Sequence, residues 1–318
     1  MTTLDFSQIV PHKLVHRASL CEVFLTSAVG VDADTFDVGT QVPRTHSLYG
    51  DRISLPTHYD PLLYVEAARQ ACIYIAHQYF GAPLGYHFIL RDAEMEVVDH
   101  GGLTVLAVPT NAVLRCSVVR RFKNRDGEVT GLRVLVTLLV SGEAAMTVQM
   151  SYSWVPAEKW ESMRADNRVA LALPLEPHAA PLPPRANPAS VDRLNPANVV
   201  ISPPRATTSG RTSSLVVDTA HPALFDHPLD HVPGMLQLEA FRQLAITTAG
   251  FGKLTGMSAK FVGFGELDLP NECESAIVSA GDDVEVRCAV RQEGRTVAEA
   301  LVTLVMADRP AVARPVRG

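Results

Sequence analysis

The sequence Glu66-Ala-Ala-Arg-Gln70 occurs twice in this chain of 318 residues, the second time as Glu239-Ala-Phe-Arg-Gln243, 173 residues later. His58 and His231 keep the same spacing upstream of the two copies, as do Leu63 and Leu236. A match of five residues can arise by chance, so the flanking agreement matters more than the pentapeptide itself. Internal similarity at a fixed offset is typical of a duplicated structural unit.

Two further blocks repeat in the same order upstream of this pentapeptide. Val15-His-Arg17 before Glu22-Val-Phe-Leu-Thr26 resembles Val191-Asp-Arg193 before Asn198-Val-Val-Ile-Ser202. Phe36-Asp-Val38 before His46 resembles Leu215-Val-Val217 before His221. We therefore interpret the chain as two copies of one unit.

Proline marks the division between the copies. Nine prolines lie between Arg164 and Pro204, where they remove backbone donors and disfavour regular structure. We predict an N-terminal unit over 1–160, a Pro-rich linker over 161–189, a C-terminal unit over 190–308, and a loose polar tail over 309–318.

Each unit is predicted to contain one apolar helix followed by long strands. The helices are expected over Pro61 to Tyr79, with proline in the first turn, and over Gly234 to Ala249. Strands are expected in two hairpins, which comprise Arg115 to Phe122 with Thr130 to Val140 around Asn124-Arg-Asp-Gly127, and Val284 to Val290 with Val297 to Val305. The predicted fold class is α+β, with an antiparallel sheet around each helix.

Both predicted helices carry one acid and one guanidinium in an otherwise apolar segment. Glu66 and Arg69 are the only Asp, Glu, Lys or Arg residues of the first helix, and Glu239 and Arg242 of the second. Helices this apolar are usually buried, and buried charges must be paired. The two charges share a helix face at i, i+3 and could simply pair with each other. The alternative is a functional site, where buried charges with shifted pKa values concentrate.

The loop before the second helix resembles that of hotdog-fold dehydratases acting on acyl carrier protein. In His221-Pro-Ala-Leu-Phe-Asp-His-Pro-Leu-Asp-His-Val-Pro-Gly-Met235, histidines precede a Pro-Gly helix start, and Glu239 follows on the helix. His227 lies closer to Gly234 than the dehydratase pattern places its histidine.

A second resemblance extends over nearly the whole chain. Its motifs, together with the duplicated unit and the Pro-rich linker, resemble the A-factor synthase family; they are Val15-His-Arg-Ala-Ser19, Pro43-Arg-Thr-His46, Tyr59-Asp-Pro61, Glu66-Ala-Ala-Arg-Gln70 and Asp226-His-Pro-Leu-Asp-His231. The resemblance implies a double hotdog fold. It also implies an acyltransferase that joins a β-ketoacyl group from acyl carrier protein to the hydroxyl of dihydroxyacetone phosphate, yielding a γ-butyrolactone, butenolide or furan precursor.

By this resemblance, the catalytic residues are Glu66, Glu239 and Arg242. We expect substrate binding by a further set: Arg69, Gln70, Gln243, Gly234, His227 and His231. A glutamate whose pKa is raised by an apolar setting would serve as the base for the hydroxyl. An arginine would hold the phosphate, and backbone N–H groups near Gly234 would stabilise the thioester oxygen. His58 and His231 are expected to share a structural role before the helices.

Composition narrows the function classes. A net charge of -6 does not favour nucleic-acid binding, and five widely spaced cysteines without a CxxC pair indicate neither zinc nor a disulfide framework. We expect no metal, no cofactor, no membrane span and a cytoplasmic location, with acyl carrier protein and dihydroxyacetone phosphate as partners and a homodimer as an open alternative. Two other functions stay open: an acyl-thioester dehydratase or thioesterase, and a non-catalytic acyl or signal-binding protein.

Overall fold

The computed structural model describes residues 3–54 and 57–305, and the predicted tail over 309–318 lies outside them. Twelve strands form one sheet in this described part of the chain. The strands are β1 (Leu25–Gly30), β2 (Thr35–Val42), β3 (His87–Val97), β4 (Thr110–Lys123), β5 (Val129–Val140), β6 (Glu143–Val155), β7 (Arg205–Ala206), β8 (Gly210–Ser214), β9 (Lys253–Phe261), β10 (Glu272–Ala280), β11 (Asp283–Gln292) and β12 (Arg295–Val305).

The order of strands shows the duplication directly. It runs β1-β2-β4-β5-β6-β3 and then β9-β12-β11-β10-β8-β7. The second half repeats the strand order of the first half in reverse, so that β3 corresponds to β9 and β1 to β7. The halves join where β3 pairs antiparallel with β9, with Met95 opposite Met257. Both predicted hairpins are confirmed, as β4–β5 and β11–β12.

One long helix packs against each half of the sheet, with the bounds expected from the sequence. Asp60 is the N-cap of helix α1 (Pro61–Tyr79), because its side chain accepts a hydrogen bond from the Leu62 N–H. The second long helix (Gly234–Ala249) follows Pro233 and ends at Gly250, whose φ of 93° suits glycine. Both helices are buried along most of their length, as their apolar sequences predict.

A third helix, α2 (Ala157–Ala170), occupies the start of the predicted linker; the long helix of the second half is therefore α3. Residues 161–170 are helical rather than extended, because two arginines of α2 find buried acid partners. Arg164 and Arg168 both donate to Glu266, at 2.7 and 2.8 Å. Among the described residues, no helix is both long and apolar enough to span a membrane.

Candidate functional site

Glu66 lies at the centre of a buried polar cluster in the N-terminal half. Its carboxylate accepts hydrogen bonds from Nε and Nη2 of Arg69, at 2.7 and 2.9 Å. This is the bidentate geometry that arginine favours. Arg17 donates from Nε at 3.0 Å, and Gln70 donates from Nε2 at 2.8 Å. One carboxylate therefore holds two guanidinium groups and an amide.

Glu239 repeats this cluster in the C-terminal half. Arg242 donates from Nε and Nη2 at 2.9 and 2.8 Å, and Arg193 donates from Nε at 3.0 Å. Gln243 donates to Glu239 and also to the carbonyl of Asn198. The side chains of Glu239, Arg242 and Arg193 are at most 2 % exposed. The structure thus brings together three of the predicted residues in each half.

Arg17 and Arg193 were missed as members of the site. They end the repeated blocks Val15-His-Arg17 and Val191-Asp-Arg193, so the sequence contained a signal for them. Each follows a residue in the left-handed region, His16 at φ 52° and Asp192 at φ 60°. This turn directs both arginines toward the helix of their own half.

The electrostatics of both glutamates differ from the sequence prediction. Burial alone would raise the pKa of each carboxyl, but the neighbouring guanidinium groups outweigh it and lower the pKa of both from 4.5 to about 2. The prediction of a glutamate base with a raised pKa is therefore wrong. Both side chains are carboxylates at neutral pH and bind their arginines firmly.

Each cluster is closed by a loop of the other half. Arg193 donates from Nη1 to the carbonyls of Leu48 and Asp51, whereas Arg17 donates to the carbonyl of Ala223. Asp51 accepts backbone N–H groups of Leu194 and Asn195 in return. Any site built on Glu239 is therefore shared by both units.

Two side chains beside Arg193 and Arg242 extend the Glu239 cluster. Asp192 Oδ2 lies 3.6 Å from Arg242 Nη1, and Asp60 Oδ2 lies 3.6 Å from Arg193 Nη2. Within the described chain, Asp60 Oδ2 and Arg242 Nη1 are buried without a hydrogen-bond partner. Each of these two atoms faces an opposite charge at 3.6 Å, so its charge is balanced while its hydrogen-bonding capacity is left unused.

A pocket of about 340 Å³ opens over this cluster. Its walls come from the loop between β2 and α1, from the start of α1 and from the segment between β3 and β4. They comprise Pro43, Arg44, Thr45, His46, Tyr49, Gly50, Arg52, His58, Tyr59, Leu63 and Val105. Arg52 connects the pocket to the cluster, because its Nε lies 3.3 Å from Asp192 Oδ2. The pocket is thus separated from Arg242 by a single carboxylate.

A second, apolar pocket of about 190 Å³ lies where the two halves meet. It is lined by Leu62 and Val65 of α1, Leu238 of α3, and residues of the central strands: Ala93, Glu94, Met95, Val148 and Met257. Its lining is apolar apart from Glu94, and the space admits a hydrocarbon chain only if the side chains around it move apart.

The histidines divide into distinct roles. His46 and His221 are equivalent, since the Nδ1 of each accepts two backbone N–H groups of its own loop. His231 Nδ1 lies 2.6 Å from Asp230 Oδ1, and its ring packs beside Trp160. It forms no hydrogen bond with Glu66 or Glu239 in the described structure. His58 lines the larger pocket instead. The two histidines, which were expected to share a structural role, therefore lie in different surroundings.

Two other predicted residues lie outside the glutamate clusters. His227 is partly exposed, and its Nδ1 lies 3.5 Å from Asp226. Burial lowers the pKa of His227, and the positive charges of Arg17 and Arg69 lower it further. Asp226 acts in the opposite direction but does not outweigh them. Gly234 is the first residue of α3. Among the residues described, no group of three His, Cys, Asp or Glu is arranged to hold a metal ion.

Comparison with known proteins agrees with this architecture. The model of the A-factor biosynthesis hotdog domain matches residues 2–156 and 176–308. A 2-oxo-3-(phosphooxy)propyl 3-oxoalkanoate synthase of Streptomyces virginiae is 33% identical over 92% of this chain and 96% of its own. The enzyme of the same name from Streptomyces griseus subsp. griseus is 34% identical over 93% of this chain and 92% of its own.

Among solved structures, the 12:0-ACP thioesterase of Umbellularia californica has a TM-score of 0.53 at 10% identity, over 87% of this chain and all of that one. This likeness concerns the fold alone and confirms the predicted double hotdog. Together with the family match over both halves, it confirms the resemblance seen in the sequence: the chain belongs to the A-factor biosynthesis hotdog domain family.

Proposed function

We propose that this protein is an acyltransferase that condenses a β-ketoacyl group with the hydroxyl of dihydroxyacetone phosphate. The product named for its relatives, a 2-oxo-3-(phosphooxy)propyl 3-oxoalkanoate, is the ester of these two components. The observation that carries the proposal is the buried Glu239 cluster, closed by the other unit and placed beside a polar pocket, in a chain that matches such enzymes over most of its length.

In the proposed reaction, the hydroxyl oxygen of the acceptor forms a bond to the thioester carbonyl carbon. The carbon–sulfur bond breaks, the acyl group passes to the acceptor, and the thiol leaves with the proton from the hydroxyl. The donor is a thioester of acyl carrier protein, and we assign its acyl chain to the apolar region between α1 and α3, which must widen to admit it. The product is the precursor of a butenolide or γ-butyrolactone signal.

Arg242 is the catalytic residue in this proposal. Its Nη1 is buried without a hydrogen-bond partner, and a guanidinium in such a setting stabilises the negative charge that develops on the thioester oxygen. Glu239 holds Arg242 and Arg193 in place, so we assign it a positioning role. Glu66 is assigned the same role toward Arg17 and Arg69 in the other half.

The residue that first accepts the hydroxyl proton is proposed to be Asp60. Within the described residues its Oδ2 accepts no hydrogen bond and faces a single guanidinium, that of Arg193 at 3.6 Å, and the residue directly follows Tyr59 in the pocket wall. A carboxylate already saturated by two arginines, as Glu239 is, makes a weaker base. Gln70 and Gln243 hold the two carboxylates, whereas Gly234, His227 and His231 are kept as substrate-binding candidates only.

The test is to incubate purified protein with a 3-oxoacyl thioester and dihydroxyacetone phosphate, and to identify products by mass spectrometry. The proposal predicts a phosphorylated ester that requires both reactants. Free acid formed equally without the acceptor would indicate a thioesterase, loss of water a dehydratase, and tight binding without turnover an acyl-binding protein. Glu143→Gln, at an exposed position, is the matched control for Glu239→Gln.

A cytoplasmic location and the association of two chains into a homodimer stay predictions of the sequence. The two units already pair within one chain through β3 and β9, as separate hotdog subunits would. The assay above is independent of either prediction.

A further inference from the structure

We propose that the 340 Å³ pocket is the binding site for the phosphate group of the acceptor, with Arg44, Arg52 and His58 as the groups that hold it. This inference rests on the proposed function and specifies which part of the protein recognises the phosphorylated substrate. Arg44, His46 and Tyr59 of this pocket lie in motifs that carry the family resemblance, but neither Arg44 nor Arg52 was assigned a role from the sequence.

The wall of the pocket is cationic. Its described residues include two arginines and two histidines and no Asp or Glu. The pocket is small and open to solvent, which suits a compact anionic group better than a large ligand. A pocket with this wall attracts an anion, and a phosphate monoester carries close to two negative charges at neutral pH.

The donors that could reach an anion are unused within the described chain. Arg44 uses only Nε, which donates to the carbonyl of Leu106, and Arg52 uses only Nε, toward Asp192. Both terminal nitrogens of each guanidinium are thus left for a ligand. His58 contacts Thr57 through Nδ1 and leaves Nε2 available. Two guanidinium forks and an imidazole match the oxygens of a phosphate.

His46 belongs to the same wall but is committed elsewhere. Its Nδ1 accepts the N–H groups of Leu48 and Tyr49, and its Nε2 faces Glu22 at 3.3 Å. It therefore fixes the loop rather than binding the anion. Tyr49 also lines the pocket, and its hydroxyl forms no hydrogen bond with the described residues.

The surroundings of the pocket are positive as well. Burial lowers the pKa of His58, and the charges of Lys253 and Arg52 lower it further. Burial and Lys253 act on the neighbouring His100 in the same direction. Burial is the largest cause of both pKa shifts, and the charge of Lys253 adds to each; a bound phosphate would offset this added positive charge.

The equivalent place in the C-terminal half lacks this site. Counting from His46 and His221, Thr219 and His227 stand where Arg44 and Arg52 stand. The counterpart of His58, His231, is beside Trp160 of α2, and Arg164 donates to Asp230 at 2.9 Å. The arginines therefore belong to a feature of one half, and the repeated fold does not require them.

The position of the pocket fits the chemistry. A phosphate held by Arg52 lies next to Asp192, which in turn faces Arg242. The rest of a three-carbon acceptor can then extend toward Tyr59 and the adjacent Asp60. One molecule would have its charged end at the pocket wall and its hydroxyl near the proposed proton acceptor.

The inference is tested by calorimetric titration of the whole protein with dihydroxyacetone phosphate, inorganic phosphate and dihydroxyacetone. We expect both phosphates to bind and to compete, and dihydroxyacetone to bind far more weakly. Arg44→Gln removes an exposed fork without opening the core, and Arg52→Lys keeps the charge but removes the fork. Each should weaken phosphate binding by about tenfold to a hundredfold, whereas Arg125→Gln at the exposed β4–β5 turn should not.

Kinetics then identify the source of the phosphate. Arg44→Gln should raise KM for the acceptor and leave both kcat and the KM of the thioester unchanged. A rise in KM only for the carrier-bound thioester, and not for a short thioester without phosphate, would overturn the inference by placing the pantetheine phosphate here. Unchanged phosphate binding in both arginine variants would also overturn it. Because binding is measured without turnover, its failure is separable from failure of the proposed acyl transfer.

Discussion

In the N-terminal half, the loop before the central helix leaves a pocket open, whereas in the C-terminal half the equivalent loop lies beneath α2. His58 faces the pocket, but His231 packs against Trp160. The glutamate clusters differ in the same sense: the side chain of Arg69 in the N-terminal half is 22% exposed and that of Arg242 in the C-terminal half only 1%. Duplication has preserved the Glu–Arg–Arg–Gln cluster, and the loops around it have diverged.

This comparison teaches that the repeated element and the specialised element are different parts of the molecule. The cluster recurs because it joins each helix to the loop of the other half, through Arg17 in one case and Arg193 in the other. The open pocket lies beside the Glu239 cluster and is lined by residues of the N-terminal half. We therefore expect both glutamates to support the architecture, but with unequal contributions to the unfolding free energy and to catalysis.

The largest expected effect separates Glu239 from Glu66. Glu239→Gln leaves two buried guanidinium groups without their carboxylate and should cost about 3–5 kcal/mol of unfolding free energy. Glu66→Gln should cost less, about 1–3 kcal/mol, because water can reach Arg69. Urea unfolding of both variants, with Glu143→Gln as control, measures the difference. Equal losses would show that the exposure of Arg69 is energetically irrelevant.

Removal of the α2 cover provides the next test. Trp160 is 6% exposed, so Trp160→Ala should destabilise the protein by about 3 kcal/mol, while Val169→Ala at an exposed position of α2 should change it by less than about 0.5 kcal/mol. The variant should not acquire phosphate binding at His231, since no arginine equivalent to Arg44 stands there. A new phosphate site in this variant would contradict the distinction between the halves.

The pH dependence of stability follows from the lowered pKa of Glu66 and Glu239, which is about 2 in the folded protein against 4.5 ordinarily. A pKa that is depressed on folding means that the stabilisation is complete above about pH 4.5 and is lost as the pH falls toward 2. Each glutamate should contribute a slope of about 1.4 kcal/mol per pH unit within this window. Urea midpoints between pH 5 and pH 3 should fall less steeply for Glu66→Gln; an unchanged slope would contradict the account.

The smallest expected effect comes from exchanging the residues that precede the two loop arginines. His16→Asp places a carboxylate where Asp192 stands in the other half, in a left-handed conformation that Asp and His both tolerate. Because the substitution removes the contact of His16 Nε2 with His77 Nε2 at 2.9 Å, it should cost about 1–2 kcal/mol of unfolding free energy. Asp192→His should cost more, because Asp192 accepts hydrogen bonds from Ile53 and Ser54. Thermal unfolding measures both losses. A loss for His16→Asp as large as that for Asp192→His would contradict this difference between the halves.

The sequence was sufficient for the repeat and for both long helices, because an E-A-x-R-Q motif in an apolar segment is a local pattern. It also predicted the hairpins, since Val-rich strands flank recognisable turns. The α2 helix was missed because its stability depends on Glu266, about one hundred residues away. Such a partner is invisible to local propensity, and the prolines nearby favoured an extended linker.

The site was predicted in composition but not in arrangement. Glu66, Glu239 and their helix arginines and glutamines were identified, and the structure brings each set together. Arg17 and Arg193 come from distant loops, so their effect on the glutamate pKa could not be derived from the helix sequence. Arg44 and Arg52 lacked any repeated counterpart, which is why a search for internal similarity could not find the pocket.

The central claim is that acyl transfer takes place beside the Glu239 cluster, under the loop of the N-terminal unit. Its most direct test is the rate at which the phosphorylated ester forms with Arg242→Lys and Arg69→Lys, each measured at saturating thioester and acceptor. We predict a fall of at least a hundredfold for Arg242→Lys, about 2.7 kcal/mol in activation free energy, and less than tenfold for Arg69→Lys. Equal rates for the two folded variants, or a larger fall for Arg69→Lys, would contradict the claim.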